Sequence, residues 1–166
     1  MTTDTTASTA KEQARRLQAA VAHIRELVQR PHNAQRLRAA PGADEWTVLQ
    51  TLGHCAEMIP YWLAQCRSLI DATGAAPPHV GRTLDDPARL AGPARGTVAN
   101  PDALLAQLQA EAEQGAATIM ALTSAERAKT GTHPRLGQMR VEDIVERFVV
   151  AHAEEHEQQI RTALQS

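Results

Sequence analysis

The 166 residues and 18.0 kDa of the chain give the length of one domain with a real core and no room for a second. A formal net charge of -2, a sequence pI near 6.4 and no Lys/Arg stripe argue against nucleic acid or an anionic membrane surface as the main partner. No apolar run approaches the ~18 residues that a membrane span needs, which leaves small molecules and other proteins.

Ala, Leu, Gln, Arg and Glu dominate, a composition that favours helices over strands. The four aromatic residues, Trp46, Tyr61, Trp62 and Phe148, are expected to mark the core. Residues 1–8, rich in Thr and Ser, are expected to form a disordered tail, and residues 9–166 one domain. The opening stretch "MTTDTTASTA" has neither the basic nor the apolar region of a secretory signal.

The first predicted helix repeats apolar residues at Leu17, Val21, Ile24 and Val28. After "PGADEW", a second helix carries Val48, Leu52, Cys55, Ile59, Leu63, Cys66 and Ile70 on one side and ends near Gly74. Pro60 within it predicts a kink or local widening. Cys55 and Cys66 lie at i and i+11 on that helix, roughly 16 Å apart, so both are free thiols. Free thiols and the lack of a secretory signal predict a cytoplasmic protein.

Residues 74–100, dense in Pro and Gly, read as an irregular loop with a possible short turn at "DDPARLA", either a functional lid or disordered. Asn100 and Pro101 then open a third helix whose apolar side is Leu104, Leu105, Leu108, Ile119 and Leu122. A fourth runs from about Val141 to Leu164. Four amphipathic helices without a strand signal predict an all-α four-helix bundle with a long crossover between the second and third helices.

On the fourth helix, Val141, Ile144, Val145, Phe148 and Val149 define the inner face, and His152 and His156 continue it. Two histidines at i and i+4 can share one cation at ~2.0–2.1 Å, but a hydrogen-bonded or rim-exposed pair has the same spacing. "HAEEH" also fits the H-x-x-E-H metalloprotease pattern with Glu155 as base. That reading is rejected, because it needs a third ligand from a downstream helix and only ten residues follow His156. His54, on the second helix, lies ~120° from the middle of the apolar stripe, where it can face either the bundle or its surface edge.

His23, His32, His79 and His133 read as ordinary polar residues, with His79 kept for lid chemistry. No phosphate loop, nucleophile elbow or CxxC pair is present.

"DEWTVLQTLGHCAEMIPYW" and "HPRLGQMRVEDIVERFVVAHAEEHEQQI" resemble the DinB/YfiT-like family of metal-binding four-helix bundles, which pair a W-x6-8-H segment with an H-x3-H segment on the last helix. Trp46 and His54 match the first segment, His152 and His156 the second. "GRTLDDPARLAG" extends the resemblance, which covers roughly residues 10–164.

The resemblance implies a divalent metal, zinc, nickel or iron, held by His54, His152 and His156. Three neutral imidazoles leave the ion an open position, as in a catalytic site. Characterised relatives include thiol-dependent S-transferases and isomerases using mycothiol or bacillithiol, which implies a small-molecule thiol and an electrophile as partners. A metal-dependent hydrolase or isomerase activating water, and a non-catalytic metal-binding dimer, remain alternatives. The family also implies a homodimer.

Glu155 is a candidate proton shuttle or a solvated rim carboxylate. Arg82, Arg89 and Arg95 are candidates for binding carboxylates of the thiol or substrate, or plain solubility charges.

Overall fold

The helices of this chain start where the sequence supplies caps, and the caps fix the elements that carry the histidines. The structure, a computed structural model, describes the backbone of residues 3–165 and the side chains of residues 9–165. Helix α1 (Thr3–Val28) buries Leu17, Val21, Ile24 and Val28 as expected, with Ala10, Ala14 and Ala20 beside them. Of the expected tail, residues 1 and 2 lie outside the described residues, and the backbone of residues 3–8 forms the first turns of α1. A 3-10 turn at Pro31–Asn33 follows, where the Asn33 amide donates to the Leu27 carbonyl at 2.7 Å.

Helix α2 (Val48–Asp71) opens on a capping box: Gln50 N donates to Thr47 Oγ1 at 3.2 Å, and Thr47 N to Gln50 Oε1 at 2.9 Å. The helix continues through Pro60 to Asp71.

The connection that follows corrects the sequence reading. It holds a twelve-residue helix, α3 (Pro87–Val98), where an irregular loop was expected. Asp86 caps it by accepting from Arg89 N at 3.0 Å, and Pro87 takes the first helical position. Its Gly and Pro content speaks against a helix, but Gly92 and Gly96 serve a tertiary purpose. A β-carbon on Gly96 would lie 2.0 Å from the Leu49 carbonyl oxygen, so α3 lies on α2 at a distance only glycine permits.

Helix α4 (Pro101–Ala121) is capped by Asn100 Oδ1, which accepts from Asp102 N at 2.9 Å and Ala103 N at 3.1 Å. It buries Leu104, Leu105, Leu108 and Ile119, and Leu122 follows at its C-cap, also buried. Next comes the short α5 (Ser124–Ala128), and then a two-stranded antiparallel hairpin, β1 (Thr130–His133) and β2 (Gly137–Arg140). The sequence shows no strand signal, because four-residue strands of Gly, Thr, His, Gln, Met and Arg carry too little alternation to read. The crossover ties to this hairpin: Val80 N donates to the Thr132 carbonyl at 3.1 Å, and Thr132 N to the Pro78 carbonyl at 2.8 Å.

The last rod is continuous but not uniform. It runs as α6 (Val141–Ile144), a π-helical segment over Val145–Val150, and α7 (Ala151–Gln165). The wider turn buries Val149 and Val150 together, although a uniform α-helix presents only the first of them inward.

Helix α1 packs against α4 and α7, and α2 packs against α4 and the last rod, closing a four-helix bundle with α3 on its flank. Leu17, Ile24, Leu52, Ile59, Leu108, Ile119 and Ile144 fill its centre. Of the four aromatics only Trp62 joins the core; Trp46, Tyr61 and Phe148 are half-buried on the side where α3 lies or the rod meets α2.

Candidate metal centre

His54 projects from the second turn of α2, and His152 and His156 from the first turns of α7. The ring centroids stand 5.4 Å apart for His54 and His152, 4.9 Å for His54 and His156, and 4.5 Å for His152 and His156. One ring nitrogen from each lies within 4.8 Å of the others, so small side-chain rotations bring all three onto one ion. Of the two placements open to His54, the structure shows the inward one: the residue is 3% exposed. Helix α3 causes this by covering that flank of α2, with the position of a Gly92 β-carbon only 3.1 Å from His54 Cα. Trp46 closes another side, its ring centroid 5.0 Å from that of His54.

The donor chemistry fits a cation. His54 Nδ1 and His156 Nε2 are buried without any hydrogen-bond partner, and such orphans are costly unless a ligand satisfies them. Burial pushes the imidazolium pKa of His54 down to about 3 and that of His152 to about 4, with neighbouring histidines and then Arg89 adding to the shift. His156 also falls below its ordinary range, burial outweighing the opposing hydrogen bond to Gln159. All three rings are therefore neutral at pH 7 and offer lone pairs.

Gln159 is a site residue that the sequence reading passed over. His156 Nδ1 lies 2.8 Å from Gln159 Oε1. An amide oxygen only accepts, so Nδ1 carries the proton and Nε2 keeps the lone pair toward the other histidines. Its spacing of i+3 from His156 was the available signal.

The other candidates divide. Glu155 is exposed and lines an outer groove of about 450 Å³ with Pro41, Glu45, Gln158 and Gln159. Arg82 is occupied: its side chain is 9% exposed, donates to both Glu57 oxygens at 2.6 Å and covers the Tyr61 ring at 3.7 Å. Arg89 stands beside the site, its guanidinium carbon 5.9 Å from the centre of the Trp46 ring. Arg95 is exposed in the last turn of α3.

His133, expected as a loop residue, is buried on β1 and stacks on Phe148 at 5.2 Å, while Phe148 stacks on Trp62 at 4.1 Å. Its Nδ1 accepts from Arg135 N and Leu136 N, so it holds the hairpin turn. His79 is exposed, and its backbone bridges to Thr132 as part of the crossover's anchor on the hairpin. His23 and His32 are exposed, as expected. Burial pushes both the Cys55 and Cys66 thiols up to about 12, so neither supplies a reactive thiolate.

Among the described residues no helix is long and apolar enough to cross a membrane. A search of curated protein sequences gave no match. Among solved structures, YfiT from Bacillus subtilis, described as a probable metal-dependent hydrolase with an unusual four-helix bundle topology, is similar with a TM-score of 0.74 at 18% identity. The likeness covers 94% of this chain and 86% of that one, and shows the fold. The family model of the DinB superfamily matches residues 11–160, so the chain, with its bundle and its three gathered histidines, belongs to the DinB superfamily.

Proposed function

We propose that the protein is a metal-dependent enzyme in which His54, His152 and His156 hold a divalent ion that activates a low-molecular-weight thiol for transfer to an electrophile, in an S-transferase or isomerase reaction. The observation that carries this reading is the pair of orphaned, buried imidazole nitrogens, His54 Nδ1 and His156 Nε2, in a cluster of neutral rings. When bound there, the ion supplies the Lewis acidity that brings proton loss from a thiol or water toward neutral pH.

The chain's own residues prepare for it. Helix α3 and Trp46 keep water from the His54 side, and Gln159 fixes the tautomer of His156. The ligand set is uncharged, so the ion keeps its full charge for an anionic ligand such as a thiolate.

A second reading, activation of water for hydrolysis, is supported by the description of the YfiT structure. Glu155 would then serve as the base, but it is exposed to solvent.

Elemental analysis of the protein purified without added metal tests the site. We expect about one divalent ion per chain, lost in both His54→Ala and His152→Ala. Titration of the cobalt-loaded protein with thiols then separates the readings, since a thiol that enters the coordination sphere brings an intense charge-transfer band. A metal-free parent that cannot be loaded sinks both readings, and a loaded protein blind to thiols leaves hydrolysis.

A further inference from the structure

The cations on the elements around the three histidines differ in how their charge is met. Arg82 is answered by Glu57, by Asp86 at 3.6 Å and by the face of Tyr61. Arg16 is answered by Glu146 and Glu154, and Arg161 by Glu157. Arg89 has no carboxylate partner among the described residues. It is half-buried, its Nη1 donates to the Leu84 carbonyl at 2.8 Å, and that single bond holds the guanidinium against Trp46. Trp46 in turn lies against His54, so the two contacts place Arg89 within about 11 Å of the His54 ring.

The charge balance of the site points the same way. Three neutral imidazoles contribute nothing against a divalent ion, Arg89 adds a further positive charge, and the one carboxylate among the described residues whose charge reaches His156, Glu155, is exposed to solvent. A half-buried guanidinium without an acid keeps its fork of donors for a planar anion.

We propose that the ligand of this site carries a carboxylate, which Arg89 receives beside Trp46 while the ligand's thiol reaches the ion at the three histidines. This rests on the thiol reading above and adds the chemical class of the ligand: an anionic mercapto acid or a thiol cofactor with a free carboxylate.

The test compares two probes that share a thiol and a chain length, 3-mercaptopropionate and 3-mercapto-1-propanol. Each is titrated into cobalt-loaded protein and followed by the sulfur charge-transfer band. In the parent the acid is expected to bind about tenfold more tightly, in keeping with a hydrogen-bonded charge pair. In Arg89→Met and Arg89→Gln that preference falls to near parity while the alcohol binds as before. In Arg89→Lys, part of the preference remains. Melting curves confirm that each variant is folded.

Equal affinities in the parent overturn the carboxylate assignment and leave the thiol reading intact. A preference that survives in both neutral variants also overturns it, because the acid is then chelating the ion by itself. If neither probe perturbs the spectrum, the thiol reading fails and this inference fails with it.

Discussion

Gly53 on α2 and Gly92 on α3 meet through bare backbone: a β-carbon on Gly53 would stand 2.2 Å from the Gly92 carbonyl oxygen. His54 is the next residue, so the contact that lets α3 settle is also the one that seals the buried histidine.

Gly53→Ala therefore acts on stability and on the site together. The methyl must push α3 away, at a cost of about 1–3 kcal/mol by the usual scale of overpacking. Denaturant titration is expected to show that loss, and metal affinity is expected to fall as His54 becomes wet. A variant with parent-like stability and metal binding removes α3 from the sealing role.

His54→Leu is expected to split stability from metal response. The metal-free variant melts at or above the parent, because a buried imidazole with an unpaired nitrogen gives way to an apolar side chain. The parent gains about 2.7 kcal/mol at a metal concentration one hundred times its Kd, and the variant gains nothing. A metal-induced rise in the variant's melting temperature contradicts the three-histidine assignment.

The metal-free protein should weaken in mild acid. His54 and His152 have folded pKa values of about 3 and about 4, below the ordinary 6.5, so the unfolded chain binds protons first as pH falls. Their share of stability is complete above pH 6.5 and is lost below it, down to about pH 4 for His152 and about pH 3 for His54, at no more than roughly 1.4 kcal/mol per pH unit for each group. Urea titrations at pH 7.5, 6 and 5 measure the decline. A His54→Leu, His152→Leu double variant should show a shallower one.

Gln159→Leu leaves His156 in place and frees its tautomer. Loss of such a partner typically costs 10- to 100-fold in metal affinity. Competition with a chelator reads this change, and nitrogen NMR of the metal-free imidazoles shows the proton no longer confined to His156 Nδ1. An unchanged NMR signature means that Gln159 is only a surface neighbour.

Arg82→Met is expected to be a stability variant. It strands Glu57 and uncovers Tyr61, so thermal melting should fall while metal content and the preference between the two thiol probes persist. Loss of that preference in Arg82→Met with stability intact makes Arg82, and not Arg89, the carboxylate-binding residue.

Much of the bundle was readable because its cues are local. Apolar spacing placed α1, α2 and α4, Asn100 with Pro101 marked the start of α4, and the i, i+4 spacing set His152 and His156 on one face. The location of His54 was not local information. Periodicity left it between the bundle and its surface edge, and the helix that covers that flank is written in Gly92, Pro93 and Gly96, residues that oppose a helix in isolation. The same limit hid the hairpin, which depends on pairing with Pro78–Val80 some fifty residues away, and it hid the occupation of Arg82, since Glu57 lies on another element.

The π-helical turn at Val145–Val150 makes the winding of the rod part of the site. Rewinding these six residues as a plain α-helix would rotate everything beyond them by ~100°, because a π-turn takes up about one residue more than an α-turn. His152 and His156 would swing away together, whereas deleting one residue along with the rewinding would leave both nearly in register. The wide turn between Ile144 and His152 is as much a specification of the site as the imidazoles themselves.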